Sequence, residues 1–451
     1  MSSVDKYPVT PSVKIRFITR MGIIFLWMAL LIGSTTIPFL YESSSMLYKF
    51  GIDKVLLRAG KVLGMLAALL ILIQPVLSAR LKFLDRIFAL NSCIGFHRFT
   101  GNIICVLGLL HPIFILASEG MLMIPMELRY WPEFAGIFLL ILLIGMVLSS
   151  TFRRSLNISF NHWRILHRSL TFLIVPLLFI HMLFVSETFE HGLPQTVVFC
   201  AAGLCALLLC SSQLKLFIIK RKPFSITTVT RVGAEAYLIE ASSKAAPPRY
   251  LPGQFGFIRI TSSKISNEEH PFTIASSPMR SRSIQFIIRA SGDWTRTIGN
   301  LSSCDHLIFE GPFGQFSHLL VPNSNEIIMV AGGIGITPML AMLRYMADVK
   351  DNRLITLIWS NKTPQHIICA DEFKELEENL RGLRIIHFFS RPVDGSAKRL
   401  DGPLLKQILA NDSKKAAVFI CGPPQMTKSV RASLIHIGYH RSQIFMEYFN
   451  L

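Results

Sequence analysis

The chain has 451 residues, 51% of them hydrophobic and 16% charged, which allows two or three domains and points to membrane spans. Its formal net charge of +18 is not gathered into one basic tract with interleaved aromatics; much of it flanks apolar runs, which fits an anionic lipid surface and argues against nucleic acid as partner. Eight cysteines without a CxxC pair argue against a disulfide framework or an iron–sulfur site, and Cys200, Cys205 and Cys210 read as small packing residues.

The chain begins with a polar, mildly basic segment, 1–20. Six apolar runs follow, at about 21–41, 59–78, 93–118, 133–151, 165–187 and 194–219, each long enough to span a bilayer as a helix. The first lacks a small-residue cleavage site and is expected to be retained. Lys and Arg gather on one side of these spans: Lys6, Lys14, Arg16 and Arg20, then Arg80, Lys82 and Arg86, then Arg153, Arg154 and Arg164, then Lys215, Lys220, Arg221 and Lys222. That side, with both termini, is predicted to be cytoplasmic, in a plasma or bacterial inner membrane. Lys49, Lys54 and Arg58 in the first outer loop are the exception.

From Phe224 the pattern changes to short β-rich runs at 225–230, 236–239, 254–260 and 284–289, separated by turn residues. After Val321 strands alternate with helical stretches, as in a βαβ nucleotide domain. The fold class expected is a multi-domain membrane protein. It comprises a six-helix transmembrane bundle over 21–220, an antiparallel β-barrel over 221–320 and an α/β parallel-sheet domain over 321–451.

Four histidines fall within the apolar runs. His97 and His111 lie 14 residues apart on the third span, and His167 and His181 lie 14 apart on the fifth. Fourteen residues are nearly four helical turns, so each pair shares a face to within about 40° and spans ~21 Å of rise. The two spans run in the same direction, so His97 is predicted to face His167 and His111 to face His181. Two histidines from facing helices supply the axial ligands of a six-coordinate haem, and two such pairs make a two-step electron relay. The competing reading is four polar residues packed between helices, although ionisable groups inside a membrane are usually functional. His162 competes with His167 but breaks the equal spacing. Arg98, Arg164 and Arg168 are candidates for haem propionates or simple flanking charge, and Gly101 for close approach of a haem plane or for packing.

Two sets of motifs follow in the soluble half. His270-Pro271-Phe272-Thr273 puts an aromatic ring beside a hydroxyl, which suits stacking on an isoalloxazine and a bond to its N5 edge. Arg289 ends a strand before Gly292-Asp293-Trp294-Thr295, where a helix start offers N–H groups and a cation to a pyrophosphate. Gly332-Gly333-Ile334-Gly335-Ile336-Thr337-Pro338 follows a strand and opens a helix, as a dinucleotide phosphate requires. Cys421-Gly422-Pro423 also ends a strand before a helix; Cys421 is placed either beside a nicotinamide or as a small buried residue.

At these residues the chain resembles the ferric reductase/NADPH oxidase superfamily, a six-span haem domain fused to a ferredoxin–NADP reductase-like module, over about 60–451. HRFTGNIICVLGLLHP and WRILHRSLTFLIVPLLFIH are similar to its two haem helices, and HPFTIASSP, IIRASGDWT, EGPFGQF, GGIGITPM and CGPP are similar to its flavin and nucleotide motifs, in order. The resemblance implies His97, His111, His167 and His181 as ligands of two b-type haems. It implies His270, Phe272, Thr273, Arg289, Trp294 and Thr295 at FAD, and Gly333, Gly335, Thr337, Cys421 and Pro423 at the nicotinamide nucleotide. The family's grip on a 2′-phosphate falls here on Asn361-Lys362, with Arg391 as a second candidate, so NADPH and NADH both stay open. The family tends to end in an aromatic over the flavin; here Leu451 stands at that place, two residues beyond Phe449, so either hydride access is less gated or Phe449 takes the role.

The function expected is electron transfer from cytoplasmic NAD(P)H through FAD and two haems to an acceptor on the outer side, with Thr273, Cys421 and Phe449 at the hydride-transfer site. A six-coordinate haem has no vacant ligand position, so the acceptor reacts at the haem edge. Few acidic residues flank the outer pair, which favours O2 over an Fe(III) chelate. Quinone or a periplasmic protein is a further alternative, and a haem carrier or sensor without turnover is a different class. No EF-hand and no obligatory protein partner are evident.

Overall fold

The computed structural model describes residues 13–121, 123–220, 223–243, 248–279, 283–303, 305–391, 400–410 and 412–447. The chain divides into two compact units, one containing 11–216 and the other 217–451.

The first unit is built from α1 (Val13–Leu40), α2 (Gly51–Ser78), α3 (Leu90–Glu119), α4 (Trp131–Thr151), α5 (Phe160–Val185) and α6 (Gly192–Lys220). These are six helices long and apolar enough to cross a membrane, with mean hydropathy of 2.0 to 2.4 in their apolar windows. A helix satisfies its own backbone in lipid, which is why such runs take this form. The helices begin up to eight residues before the apolar limits read from sequence, at 13, 51 and 160 rather than 21, 59 and 165. Hydropathy marks only the part a bilayer would bury, whereas the hydrogen-bond ladder runs on through polar flanks such as Arg16, Arg58 and Arg164. Gly120 ends α3 with φ +64°, where its amide meets the Ala117 carbonyl at 3.3 Å and Met121 N–H meets Leu116 O at 3.1 Å. The unit's main core joins four helices: Ala68, Leu70 and Ile71 of α2, Ile104 of α3, Leu139 and Leu143 of α4, and Ile174 and Leu178 of α5. Gly60 of α2 lies against Ile115 of α3, so these two helices approach closely.

The second unit holds two sheets. β1 (Phe224–Gly233), β2 (Ala236–Ser242), β3 (Phe255–Thr261), β4 (Glu269–Thr273), β5 (Ser283–Arg289) and β6 (His306–Phe313) form an antiparallel sheet in the order β4-β3-β6-β1-β2-β5. The expected barrel is present as a sheet whose edges meet at an isolated Ile274–Phe286 bridge, without a continuous closing ladder. Its core contains Ile226, Ile239, Ile258, Ile260, Ile284, Phe286 and Leu307. The second sheet is parallel: β7 (Glu326–Gly332), β8 (Leu354–Asn361), β9 (Leu383–Phe389), β10 (Ala417–Cys421) and β11 (Ile444–Glu447), in the order β11-β10-β7-β8-β9. α7 (Thr337–Asp348) and α8 (Ala370–Asn379) contribute to the core on one face. α9 (Gly402–Ile408) and α10 (Pro424–His436) contribute to the core on the other, the layering that hydrophobic βαβ units require.

Arg344 of α7 ties the two sheets together. It is buried, pairs with Glu372 at 2.7 Å, and donates to the Ala275 carbonyl at 2.8 Å and to Gln285 Oε1 at 3.0 Å. Removing one partner of a buried ion pair typically costs a few kcal/mol, so this arginine contributes directly to how the lobes meet.

His318 is fully buried, and neither ring nitrogen has a hydrogen-bond partner. Burial, reinforced by Arg353, pushes its pKa down to about 3, against an opposing effect of Asp351. The unfolded chain therefore binds the proton first. Stability is complete above pH ~6.5 and declines as pH falls from there toward the folded value, by roughly 2 kcal/mol at pH 5. Melting curves of the full chain between pH 7.5 and 5 should show this slope, and His318→Leu should flatten it; an equal slope in the variant would remove His318 as its source.

Candidate functional site

In the membrane unit the ring centres of His97 and His167 lie 6.1 Å apart, and those of His111 and His181 lie 6.4 Å apart. An iron between two Nε2 atoms, at about 2 Å each and with about 1.1 Å from nitrogen to ring centre, requires about 6.2 Å. Both pairs fit that group. The other ring nitrogens are held in place: His111 Nδ1 meets the Gly60 carbonyl at 2.8 Å, and His181 Nδ1 meets the Pro132 carbonyl at 2.9 Å. His167 Nδ1 lies 3.4 Å from Ser150 Oγ, with the Trp163 ring 5.2 Å from its own. Such partners fix the ring and leave Nε2 for the metal.

His162 takes a different place. Its ring nitrogen bonds Ser159 Oγ at 2.8 Å at the start of α5, away from the paired rings. Arg168 donates to Gln213 at 3.2 Å, Arg164 lies over the Phe160 ring at 5.9 Å, and Arg98 is exposed. A Cβ on Gly101 would meet nothing within 4 Å. Sequence reasoning passed over Glu133, one helical turn before Gly136. One of its carboxylate oxygens is buried without a hydrogen-bond partner, and its charge acts on His181. A lone acid in an apolar helix was the available signal.

In the soluble unit the HPFT residues occupy edge strand β4, where Pro271 has no ladder bond to lose on the outer side. Strand alternation sends His270 and Phe272 to one face and Pro271 and Thr273 to the other. His270 lies 4.4 Å from the Trp294 ring centre, and Phe272 stacks on Trp294 at 6.1 Å and 20°. Thr273 is buried. Ring and hydroxyl thus leave the strand on opposite faces rather than side by side. Thr295 Oγ1 accepts from the amides of Ser291 at 3.0 Å and Gly292 at 2.8 Å. One of the N–H groups assigned above to a pyrophosphate, that of Gly292, is therefore used with its Ser291 neighbour to start the helix.

The glycine motifs meet because β7 and β10 are neighbours, with Ala331 opposite Cys421. A Cβ on Gly332 would stand 2.8 Å from Pro423 Cδ, one on Gly422 3.0 Å from Gly332 Cα, and one on Gly335 2.7 Å from the Cys421 carbonyl carbon. Only hydrogen at these positions lets the two strand ends close together. Thr337 and Pro338 are buried at the start of α7. Cys421 is fully buried, and burial followed by the Glu447 charge keeps its thiol protonated, so it borders the turn and is not a nucleophile.

Arg289 also lies close to this second group. It pairs with Glu235 at 2.8 Å and holds that carboxyl below the usual range, and a Cβ on Gly333 would lie 3.7 Å from its Nη1. A cleft is lined by Glu235, Arg289, Gly333, Asn361 and His366, among others. Both polar atoms of the buried Asn361 side chain lack a partner there, as expected where a polar ligand sits. Arg391 N–H donates to the Lys362 carbonyl at 2.9 Å, bringing these two exposed residues together at the ends of β8 and β9. Phe449 lies outside the described residues.

Paired histidines on apolar helices, followed by a parallel-sheet domain with glycine turns at its strand ends, define a membrane oxidoreductase of modular build. Residues 63–178 match the family described as ferric reductase like transmembrane component, and residues 329–432 match the oxidoreductase NAD-binding domain. The chain belongs to the NADPH oxidase/ferric reductase superfamily, in which such a transmembrane domain is joined to an FAD/NAD-binding ferredoxin reductase-type domain. It is 24% identical over 213 residues to a propane 2-monooxygenase reductase component of Mycolicibacterium smegmatis, covering 44% of this chain and 59% of that one. It is 30% identical over 183 residues to NADH-cytochrome b5 reductase 1 of Dictyostelium discoideum, covering 39% of this chain and 63% of that one. The chain thus spans under two thirds of these relatives' length. Among solved structures, the cytochrome b5 reductase domain of Ulva prolifera nitrate reductase is similar at TM-score 0.44 and 18% identity, over 51% of this chain and 97% of that one.

Gly335→Ala should separate the two strand ends. We expect KM for NAD(P)H to rise about tenfold or more, equivalent to about 1.4 kcal/mol, with flavin content unchanged. Stopped-flow flavin reduction checks this, and an unaltered KM would show that the close approach does not serve the nucleotide.

Proposed function

We propose that this protein transfers electrons from cytoplasmic NAD(P)H through FAD to two membrane haems, and from there to O2 on the opposite face as a superoxide-generating oxidase. The observation that carries this reading is the two facing histidine pairs, each at the ring spacing of a bis-imidazole iron. Bound FAD and haem supply the conversion of a two-electron hydride donor into a one-electron relay. The chain's own residues bind and orient. His97, His167, His111 and His181 hold the irons, Trp294 with His270 and Phe272 forms an aromatic wall for the flavin, and the cleft around Arg289 and Asn361 receives the nucleotide. Lys362 and Arg391, joined by a backbone hydrogen bond at the ends of β8 and β9, are the candidates for gripping a 2′-phosphate.

At the far end Lys61 follows Gly60, whose carbonyl holds His111, and donates to Ser43 Oγ at 2.5 Å. An ammonium there stabilises the anion produced by one-electron reduction of O2. A second reading, reduction of an Fe(III) chelate, is favoured by the partnerless Glu133 oxygen beside His181.

The test is NAD(P)H oxidation by the purified full chain with O2 or an Fe(III) chelate, with and without superoxide dismutase. Cytochrome c reduction abolished by the dismutase is expected. Ferric reduction that persists without oxygen and ignores the dismutase would move the assignment to the second reading. Failure of NAD(P)H to reduce any haem anaerobically would sink both. Lys61→Gln should lower O2 reduction about tenfold while anaerobic flavin reduction is retained.

A further inference from the structure

A helical side chain leans toward the N-terminus and covers the carbonyl four residues before it. A glycine there leaves the second lone pair of that carbonyl open to a neighbouring helix. Gly64 stands four residues after Gly60, and a Cβ on it would lie 2.9 Å from His111 Nδ1, the atom that meets the Gly60 carbonyl at 2.8 Å. Gly136 stands in the same relation to Pro132. A Cβ on Gly136 would lie 2.8 Å from His181 Nδ1 and 2.5 Å from its Cε1. Either methyl would occupy the space through which the imidazole reaches its acceptor. Two different helices, α2 and α4, thus offer the same device to the two members of one pair.

Fourteen residues further along each helix the corresponding positions are Ser78 and Ser150. Ser150 Oγ donates to the Met146 carbonyl at 2.7 Å and lies 3.4 Å from His167 Nδ1, so the hydroxyl stands between ring and backbone. Ser78 Oγ donates to the Gln74 carbonyl at 3.0 Å; the His97 ring is turned to the Gln74 backbone, and its Nδ1 makes no hydrogen bond of ordinary geometry.

We propose that Gly64 and Gly136 are positioning residues for the haem held by His111 and His181. Each leaves a backbone carbonyl open, so that the ligand's Nδ1–H is fixed and its Nε2 is turned to the iron. Ser78 and Ser150 occupy the equivalent positions on the two helices, and the His97–His167 pair is held more loosely: His167 Nδ1 faces only the Ser150 hydroxyl at 3.4 Å, and His97 Nδ1 has no ordinary partner. A backbone carbonyl cannot swing away as a hydroxyl can, and a strong Nδ1–H bond makes the ligand more basic. The two haems are therefore unequal by construction. This inference rests on the functional reading above.

The experiment compares Gly64→Ala and Gly136→Ala with Gly145→Ala, a site on α4 where an added Cβ meets nothing within 4 Å. Haem per chain, low-spin EPR signals, haem midpoints and bound flavin are measured on the full chain. Haem affinity at one of two sites should fall about 10–100-fold, or one EPR signal and one midpoint should shift, with bound FAD and flavin reduction as in the native chain. Two full haems with unaltered spectra and midpoints in both glycine variants would overturn the proposal, as would loss of haem in Gly145→Ala to the same extent. If neither variant folds, pulsed EPR of the native protein decides. One haem should carry two strongly hydrogen-bonded Nδ1 protons and the other weaker ones, and equivalent protons on both would refute the inference. A native chain that binds no haem would instead overturn the functional reading itself.

Discussion

Two imidazoles can share one iron only if their helices hold the ring centres about 6 Å apart, and the membrane unit meets that condition twice. Much else in the unit follows from it. α3 and α5 must run side by side in the same direction, so α4 has to carry the chain back between them. α2 and α4 must come close enough to offer their backbones to His111 and His181, which is where glycines stand instead of the bulky residues that fill the core at Leu70, Ile71, Leu139 and Leu143. A membrane interior favours this solution, because a polar ring without a partner there is costly, whereas a helix carbonyl is always at hand.

The soluble unit is organised by close approach of backbone rather than by paired side chains. Gly332 and Gly422 sit where β7 and β10 end together, and Gly335 packs on the Cys421 backbone. Arg344 then joins the parallel sheet to the antiparallel one through Ala275 and Gln285. The Arg289–Glu235 pair brings the antiparallel lobe to the glycine turn, so the cleft between them is lined by both sheets. Cys421, placed from sequence either beside a nicotinamide or as a small buried residue, is buried at the strand end with Glu447 nearby and is held as a neutral thiol.

Different parts of the chain were legible to different degrees. The histidine spacing on the third and fifth spans was readable because a helix repeats every 3.6 residues, and a local rule therefore predicts a long-range face. The helix ends were not, since hydropathy does not report where the hydrogen-bond ladder stops. The capping role of Thr295 was hidden because the same residues suit a phosphate site or a helix start. Arg289 was read with the flavin motif that follows it in sequence; that it also stands beside Gly333, more than forty residues on, no local pattern gives. Glu133 carried a faint signal, and Gly64 and Gly136 carried none that separates them from packing glycines.

The sequence by itself determined the six apolar helices, the change to two kinds of sheet, the four histidines on two helix faces and the order of the nucleotide motifs. These depend on composition and on periods of two and 3.6 residues, which are local properties of the chain. Tertiary structure alone decided that His111 and His181 meet backbone carbonyls while His167 faces a hydroxyl, which N–H groups are already spent at Thr295, and that Arg289 stands beside Gly333. Those are relations between residues far apart in the chain, set by how closely one backbone lets another approach.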